Sequence, residues 1–323
     1  MRVRNAISRM AVALLLGVAA QPTLATTSET WVTLGTNGGP LVNKARSEPA
    51  NLLLVDGAPW LVDCGDGAMQ RLTQAGFQAG DVRKLFISHL HLDHIGGVQG
   101  LLGLRWMTNA QTPITIYGPP GTRQMVDGIL ASLAPSVRIS QNEPMGHGTD
   151  PATGVTVIEL RGGADLMIDA VRVRSVRNSH FDEPAGHPLD NGSQSLSYRF
   201  DHAGRSIVYT GDTGPSAAVT DLAKGADTVV SEVVDLSTIE KLINAARGIP
   251  PEIKKDLIAH MEYQHLTAQE AGSMAAKAGV KQLVFTHLAT GGPLSDQAAG
   301  KIVDEARQNF PANVTIANDL DRF

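Results

Sequence analysis

Three histidines and an aspartate, His89, His91, Asp93 and His94, stand within six positions directly after the apolar run Lys84 to Ser88. Neutral imidazole and carboxylate form the donor set that suits Zn²⁺ and its neighbours, and a strand running into a tight loop can aim all four groups into one small volume. Without a cation the four would repel one another and stay under-bonded. The spacing therefore predicts a metal site.

Six positions cannot close two metal spheres, so further ligands must come from elsewhere in the chain. Three places offer them. His180 follows the strand-like run Val171 to Val176, Asp212 follows Ser206 to Tyr209, and His287 follows Gln282 to Thr286. Each candidate lies at the C-terminal end of a β-branched or apolar run, where an α/β sheet gathers its functional residues.

Taken together, this pattern resembles the metallo-β-lactamase superfamily of metallohydrolases, whose hallmark is His-x-His-x-Asp-His followed by a distant His, a distant Asp and a final His. The likeness runs from about Trp31 to the C-terminus. It implies an α/β fold, a four-layer αββα sandwich in a single domain, with two zinc ions per chain. By position, His89, His91 and His180 would bind one ion, Asp93, His94 and His287 the other, and Asp212 would bridge both. The turn from Trp60 to Gly67 resembles the family's Asp-containing turn, which makes Asp63 a group that orients the metal loop. Its neighbour Cys64 reads as a small buried side chain.

Within the superfamily the likeness is to the ribonuclease Z-like branch, carried by Ile116 to Gly121 (IYGPPG) and by His265 to Gly272 (HLTAQEAG), which leads on to His287. The resemblance implies that His265 protonates the leaving group or stabilises the transition state. A helix-start role is the competing reading, since Thr267 could cap the helix with Glu270 three residues on. Arylsulfatase and cyclic-nucleotide phosphodiesterase branches share much of the motif, so it does not choose a substrate.

Two divalent ions a few Å apart acidify a shared water, and the hydroxide attacks an electrophilic centre while the metal neutralises the developing oxyanion. The expected function is thus an exported dinuclear hydrolase of phosphate or sulfate esters, with His265 and Asp212 as catalytic residues. A lactonase or β-lactamase using the same metals is the alternative. An iron redox protein on the same fold is a third, disfavoured by His91, where the flavodiiron pattern has a carboxylate.

The N-terminus differs in character from the rest. Arg2, Arg4 and Arg9 precede the apolar run Met10 to Ala20, with small residues near Ala20 and Ala25, which predicts a secretory signal peptide over 1–25 and a hydrolase domain over 26–323. The apolar run is too short to span a bilayer, so no membrane anchor is expected after cleavage, and the location is periplasmic or secreted. Of 27 Lys plus Arg, removing Arg2, Arg4 and Arg9 leaves 24 against 32 acids, a formal charge near −8. Nucleic-acid affinity is built largely from Lys and Arg on phosphates, so a small-molecule ester rather than a nucleic acid is the expected partner; a homodimer stays open. With one Cys no intramolecular disulfide can form.

Along the chain, strands are expected at 31–36, 51–55, 59–63 and 114–117, with a hairpin across Asp56-Gly57, and helices at 68–75, 100–107 and 122–133. The Gly-rich loop 37–46 would border the cleft. Loop 141–151, with His147, shows no basic arm of the kind typical of ribonuclease Z. Helical spacing after Val234, broken at Pro250-Pro251, predicts a hairpin over 234–262 that is either a lid or an ordinary packing pair; Glu232, Met261 and Tyr263 could line the same opening. His147, His187, His202 and His260 belong to no motif and read as surface or supporting residues, with His187 near His180.

Overall fold

A computed structural model describes residues 29–110, 112–140, 150–182 and 192–323. The expected signal peptide, His147 with most of its loop, and His187 lie outside the described residues. The first sheet has strand order β1-β2-β3-β4-β5-β6, formed by β1 (Glu29–Gly35), β2 (Ala50–Val55), β3 (Ala58–Cys64), β4 (Lys84–Phe86), β5 (Ile114–Gly118) and β6 (Val155–Glu159). The second runs β13-β12-β11-β10-β9-β8-β7, formed by β7 (Asp165–Ile168), β8 (Val171–Arg177), β9 (Leu196–His202), β10 (Arg205–Tyr209), β11 (Thr228–Val234), β12 (Gln282–Ala289) and β13 (Asn313–Ile316).

Period-2 alternation explains how these strands fill three cores. Leu52, Leu61, Leu85 and Ile116 face outward from the first sheet, where they meet Leu72 of α1 (Ala68–Gln74), Leu101 of α3 (Val98–Met107) and Val126 of α4 (Thr122–Ser132). Their neighbours Leu53, Trp60, Val62 and Phe86 face inward and pack against Tyr198, Phe200, Ile207, Val230 and Val284 of the second sheet. Val229, Leu283 and Phe285 then face outward onto Val219 of α6 (Ala217–Leu222), Met274 of α9 (Ala268–Ala278) and Ile302 of α10 (Asp296–Arg307). Helix, sheet, sheet, helix is the expected αββα sandwich, a single domain. At its centre the Phe86 ring stacks on Tyr117 at 4.7 Å and meets Phe200 edge-on at 5.3 Å, geometry worth about 0.5–1.5 kcal/mol per pair beyond burial.

Local signals place the connections. Asp56 (φ 50) and Gly57 (φ 82) are both left-handed, the turn that a two-residue hairpin needs, and Val55 pairs with Ala58 across it. The expected helical hairpin is α7 (Leu236–Ala245) and α8 (Pro251–Gln264), with Pro251 in the first turn of α8 where its missing N–H costs nothing. Neither helix has a fully buried residue. Two differences from the sequence reading bear on the site: α2 (Leu92–Ile95) winds one helical turn inside the metal motif, and β11 forms from the run TVVSEVV despite its buried Glu232. A further short helix, α5 (Ala134–Ser140), follows α4. Among the described residues no helix is long and apolar enough to cross a membrane.

Candidate metal centre

Sheet topology brings the sequence-distant candidates to one end of the sandwich. Strands β3 and β4 are parallel, as are β10, β11 and β12, while β8 runs with β10 because each is antiparallel to β9. Their C-terminal ends therefore share one rim. There β4 delivers His89, β8 delivers His180, β10 delivers Asp212, and β12 delivers His287, which adopts a left-handed backbone (φ 41).

The donor atoms converge. His91 Nδ1 lies 3.1 Å from His89 Nε2 and 3.2 Å from His180 Nε2. On the other side, Asp93 Oδ2 lies 3.6 Å from His94 Nε2 and 3.5 Å from His287 Nε2. Asp212 reaches both groups, at 3.8 Å and 4.0 Å from His89 and His180 and at 3.3 Å and 3.1 Å from His94 and His287. In a tetrahedral site with bonds near 2.0–2.1 Å, ligand atoms stand roughly 3.3 Å apart. The seven side chains thus could hold two divalent ions with Asp212 between them. His94 Nε2, His287 Nε2 and Asp212 Oδ1 are buried with no hydrogen-bond partner, a costly state that a cation would relieve.

Protonation divides the ligands: against burial, Asp212 and Asp63 hold His94 up at about 10 and Asp212 holds His287 well above the imidazole range, protons that a bound cation would have to displace. Burial pulls His89 and His180 well below the usual imidazole range, against the attraction of Asp212, so both are the neutral form that a metal requires. Burial alone would raise Asp212, yet His287 and His94 hold it well below the carboxylate range.

Asp63 orients the motif, as expected from its turn. It sits at φ 58 and accepts from Ser88 N (2.7 Å), Ser88 Oγ (2.7 Å) and Tyr209 OH (2.8 Å), with His94 Nδ1 also at 2.8 Å. Cys64 beside it is buried, and burial pushes its thiol up to about 12. The loop 37–46 borders the centre, with Gly39 N donating to Asp93 Oδ2 at 3.2 Å.

His265 faces the centre and does not cap the helix. Thr267 takes the cap of α9, its hydroxyl accepting from Glu270 N while Glu270 Oε2 accepts from Thr267 N. His265 Nδ1 instead lies 2.6 Å from Glu232 Oε2, and its ring centroid is 5.0 Å from that of His180 and 6.0 Å from that of His287. Burial by itself lowers the His265 pKa, but the Glu232 carboxylate outweighs it and the net shift is upward. Burial raises Glu232, with His265 opposing. The sequence reading gives Glu232 only as a residue that could line the opening; its signal is a lone charge in an otherwise uncharged strand. His260, read as a surface or supporting residue, lies 5.4 Å ring to ring from His265 and 5.9 Å from His180. Phe181 was not singled out, yet its ring lies 5.3 Å from His91 and 5.0 Å from His180. Tyr263 is 46% exposed and its carbonyl rests against Gly214, while Met261 is half-buried. His202 is remote, paired with Asp56 at 3.3 Å at the opposite end of the strands.

A sandwich of this order with this rim defines a metallohydrolase, and the chain belongs to the β-lactamase superfamily: the model of the Beta-lactamase superfamily domain matches residues 44–288. More particularly it is ribonuclease Z-like. It is 32% identical over 298 residues to ribonuclease Z of Mycobacterium sp. (strain KMS), covering 90% of this chain and 94% of that one. Human tRNase Z, short form, superposes with a TM-score of 0.60 at 25% identity, over 91% of this chain and 98% of that one. The metallo-β-lactamase fold protein YhfI from Bacillus subtilis shares the fold, with a TM-score of 0.62 at 18% identity over 91% and 98% of the two chains. The fold family implies a divalent metal, and the donor set described above fits one.

These relatives overturn one expectation from the sequence. A small-molecule ester and no nucleic acid were expected from the acidic balance, whereas proteins matching nearly the whole chain are ribonucleases by name. Net charge is an average over the molecule. Chemistry at a single phosphodiester depends on the local field at the rim, where cations held by the donor set would outweigh distant surface acids.

Proposed function

We propose that the chain is an exported phosphodiesterase that holds two zinc ions and cleaves RNA phosphodiester bonds. The observation that carries this reading is the Glu232–His265 pair set beside both ligand groups. A phosphodiester expels a poor alkoxide leaving group, which needs a proton in the transition state, and relatives over nearly the whole chain are ribonucleases by name.

His89, His91 and His180, together with Asp93, His94, His287 and Asp212, would hold the ions, whose chemistry when bound would be Lewis acidity and the acidification of water. The chain's own residues do the rest. Asp63 and Ser88 fix the imidazoles of the motif, Phe181 shields one side of the centre, and Glu232 holds His265 by Nδ1 so that Nε2 carries the proton toward the leaving oxygen. Zinc is supported by five imidazoles and two carboxylates without a thiolate. Export is supported by the basic-then-apolar pattern of residues 1–25. The α7–α8 hairpin, which leads directly into His265, is proposed as the lid.

Incubation of the zinc-loaded protein with end-labelled RNA carrying a 3′ single-stranded tail, bis-p-nitrophenyl phosphate, p-nitrophenyl sulfate and a homoserine lactone tests this reading. Cleavage of RNA and of the phosphodiester is expected. Turnover of the sulfate or the lactone with both phosphodiesters untouched overturns it.

A further inference from the structure

The loop that begins at Thr36 touches only one of the two ligand groups. Leu288 N donates to Thr36 O at 2.9 Å and Gly38 N to Leu288 O at 3.2 Å, so the loop lies along β12 as a short parallel bridge with Asn37 opposite Leu288, the residue after His287. One residue further, Gly39 N donates to Asp93 Oδ2. Contact is close at both points: a Cβ on Gly38 would stand 2.7 Å from Ala289 N, and one on Gly39 would collide with the Asp93 carboxylate.

Asn37 pins this loop from inside. Its Nδ2 donates to Leu41 O at 2.9 Å and to Glu48 Oε1 at 3.2 Å, and its backbone N donates to Ser47 O at 2.9 Å. Glu48 is 6% exposed, and its Oε2 is buried without a partner. Burying a carboxyl group this way costs stability, so packing alone gives no reason for it. Among the described residues, His89, His91 and His180 take no hydrogen bond from this loop; His89 Nδ1 lies 3.0 Å from Ser88 Oγ and His180 Nδ1 lies 2.9 Å from Gln264 O.

We infer that Asn37 and Glu48 are positioning residues that set the metal affinity of one ligand group, Asp93, His94 and His287, and leave that of His89, His91 and His180 unchanged. The inference rests on the two-ion reading above. Groups that orient metal ligands typically govern affinity by 10- to 100-fold, and here the lever acts on one side only.

The test titrates zinc-loaded protein with a graded chelator and counts the ions retained by elemental analysis, for wild type, Asn37→Ala, Glu48→Ala, Glu48→Gln and Gly39→Ala. Wild type is expected to hold two ions. Asn37→Ala, Glu48→Ala and Gly39→Ala should release one ion at about 10-fold less chelator or lower and the other at the wild-type concentration. Glu48→Gln keeps an oxygen to accept from Asn37 and should stay near wild type. Release of both ions together, no change in either, or equal loss in Glu48→Gln and Glu48→Ala overturns the inference. A wild-type chain that holds a single ion overturns the two-ion reading and the inference with it. If Glu48→Ala fails to fold, Gly39→Ala asks the same question from the Asp93 side without removing a buried group.

Discussion

Asp212 and His265 separate two kinds of work at the level of single side chains. Among the described residues Asp212 is the one carboxylate within 4.0 Å of histidines from both ligand groups. Asp212→Ala is therefore expected to abolish hydrolysis of every substrate and to lower zinc content, measured by elemental analysis; full activity in that variant sinks the two-ion assignment. His265 acts on the leaving group instead. His265→Ala should slow RNA cleavage by about 10²- to 10⁴-fold, the usual worth of a general acid, yet slow release of p-nitrophenolate far less, because that group departs without a proton. Equal losses on the two substrates would count against an acid role. Glu232→Gln should fall between wild type and His265→Ala on RNA, since it keeps a hydrogen-bonding group but removes the charge that supports protonated His265.

Elements differ in how firmly they are held. β10, β11 and β12 are central strands buried on both faces, whereas α7 and α8 bury no residue fully and leave Leu242, Ile253 and Leu257 between 38% and 46% exposed. The hairpin rests on the loop after β12, where a Cβ at Gly291 (φ 68) would collide with Leu242. Native-state hydrogen exchange should show the amides of α7 opening at a free energy a few kcal/mol below those of β11, with protection rising when RNA binds. Protection of α7 equal to that of β11 in the free protein would remove the lid. Helical spacing and the Pro250-Pro251 break made this hairpin legible in advance. Its position was not, because spacing gives a helix its face but not its partner. That gap is why His260, four residues before the end of α8, read as either a surface or a supporting residue, and the tertiary structure chose the second by setting its ring beside His265 and His180.

At the scale of the whole molecule, a further buried acid lies far from the chemistry, at the start of β1. Glu29 is 5% exposed, and among the described residues neither of its carboxylate oxygens has a hydrogen-bond partner. Burial pushes its pKa up to about 8, against the lowering effect of Arg205. A carboxyl raised in the folded state favours folding while protonated, so its contribution is complete below the ordinary carboxylate range near 4 and is lost as pH rises toward about 8. Glu29→Gln, which does not titrate, should melt close to wild type at pH 4 and be more stable by on the order of 1 kcal/mol or more at pH 9. A constant difference across that range would show that Glu29 is not held in its protonated form.

The candidate donors were legible in the chain: His89, His91, Asp93 and His94 fall within six residues, and His180, Asp212 and His287 each end a strand-like run, so residue type and local spacing picked out the groups that the fold brings together. The αββα layers were implied by the family resemblance that these residues carry, and alternation along the strands explains which of their faces are buried. Adjacency was decided only by tertiary structure. Glu232 reaches His265 because parallel pairing places β11 between β10 and β12, and Asn37 meets Glu48 because the loop after β1 folds back along β12. Neither follows from sequence, since a hydrogen bond between residues far apart in the chain depends on sheet order and register. The likeness to ribonucleases ran against the charge balance for a related reason: composition fixes total charge, while the fold decides where the field acts.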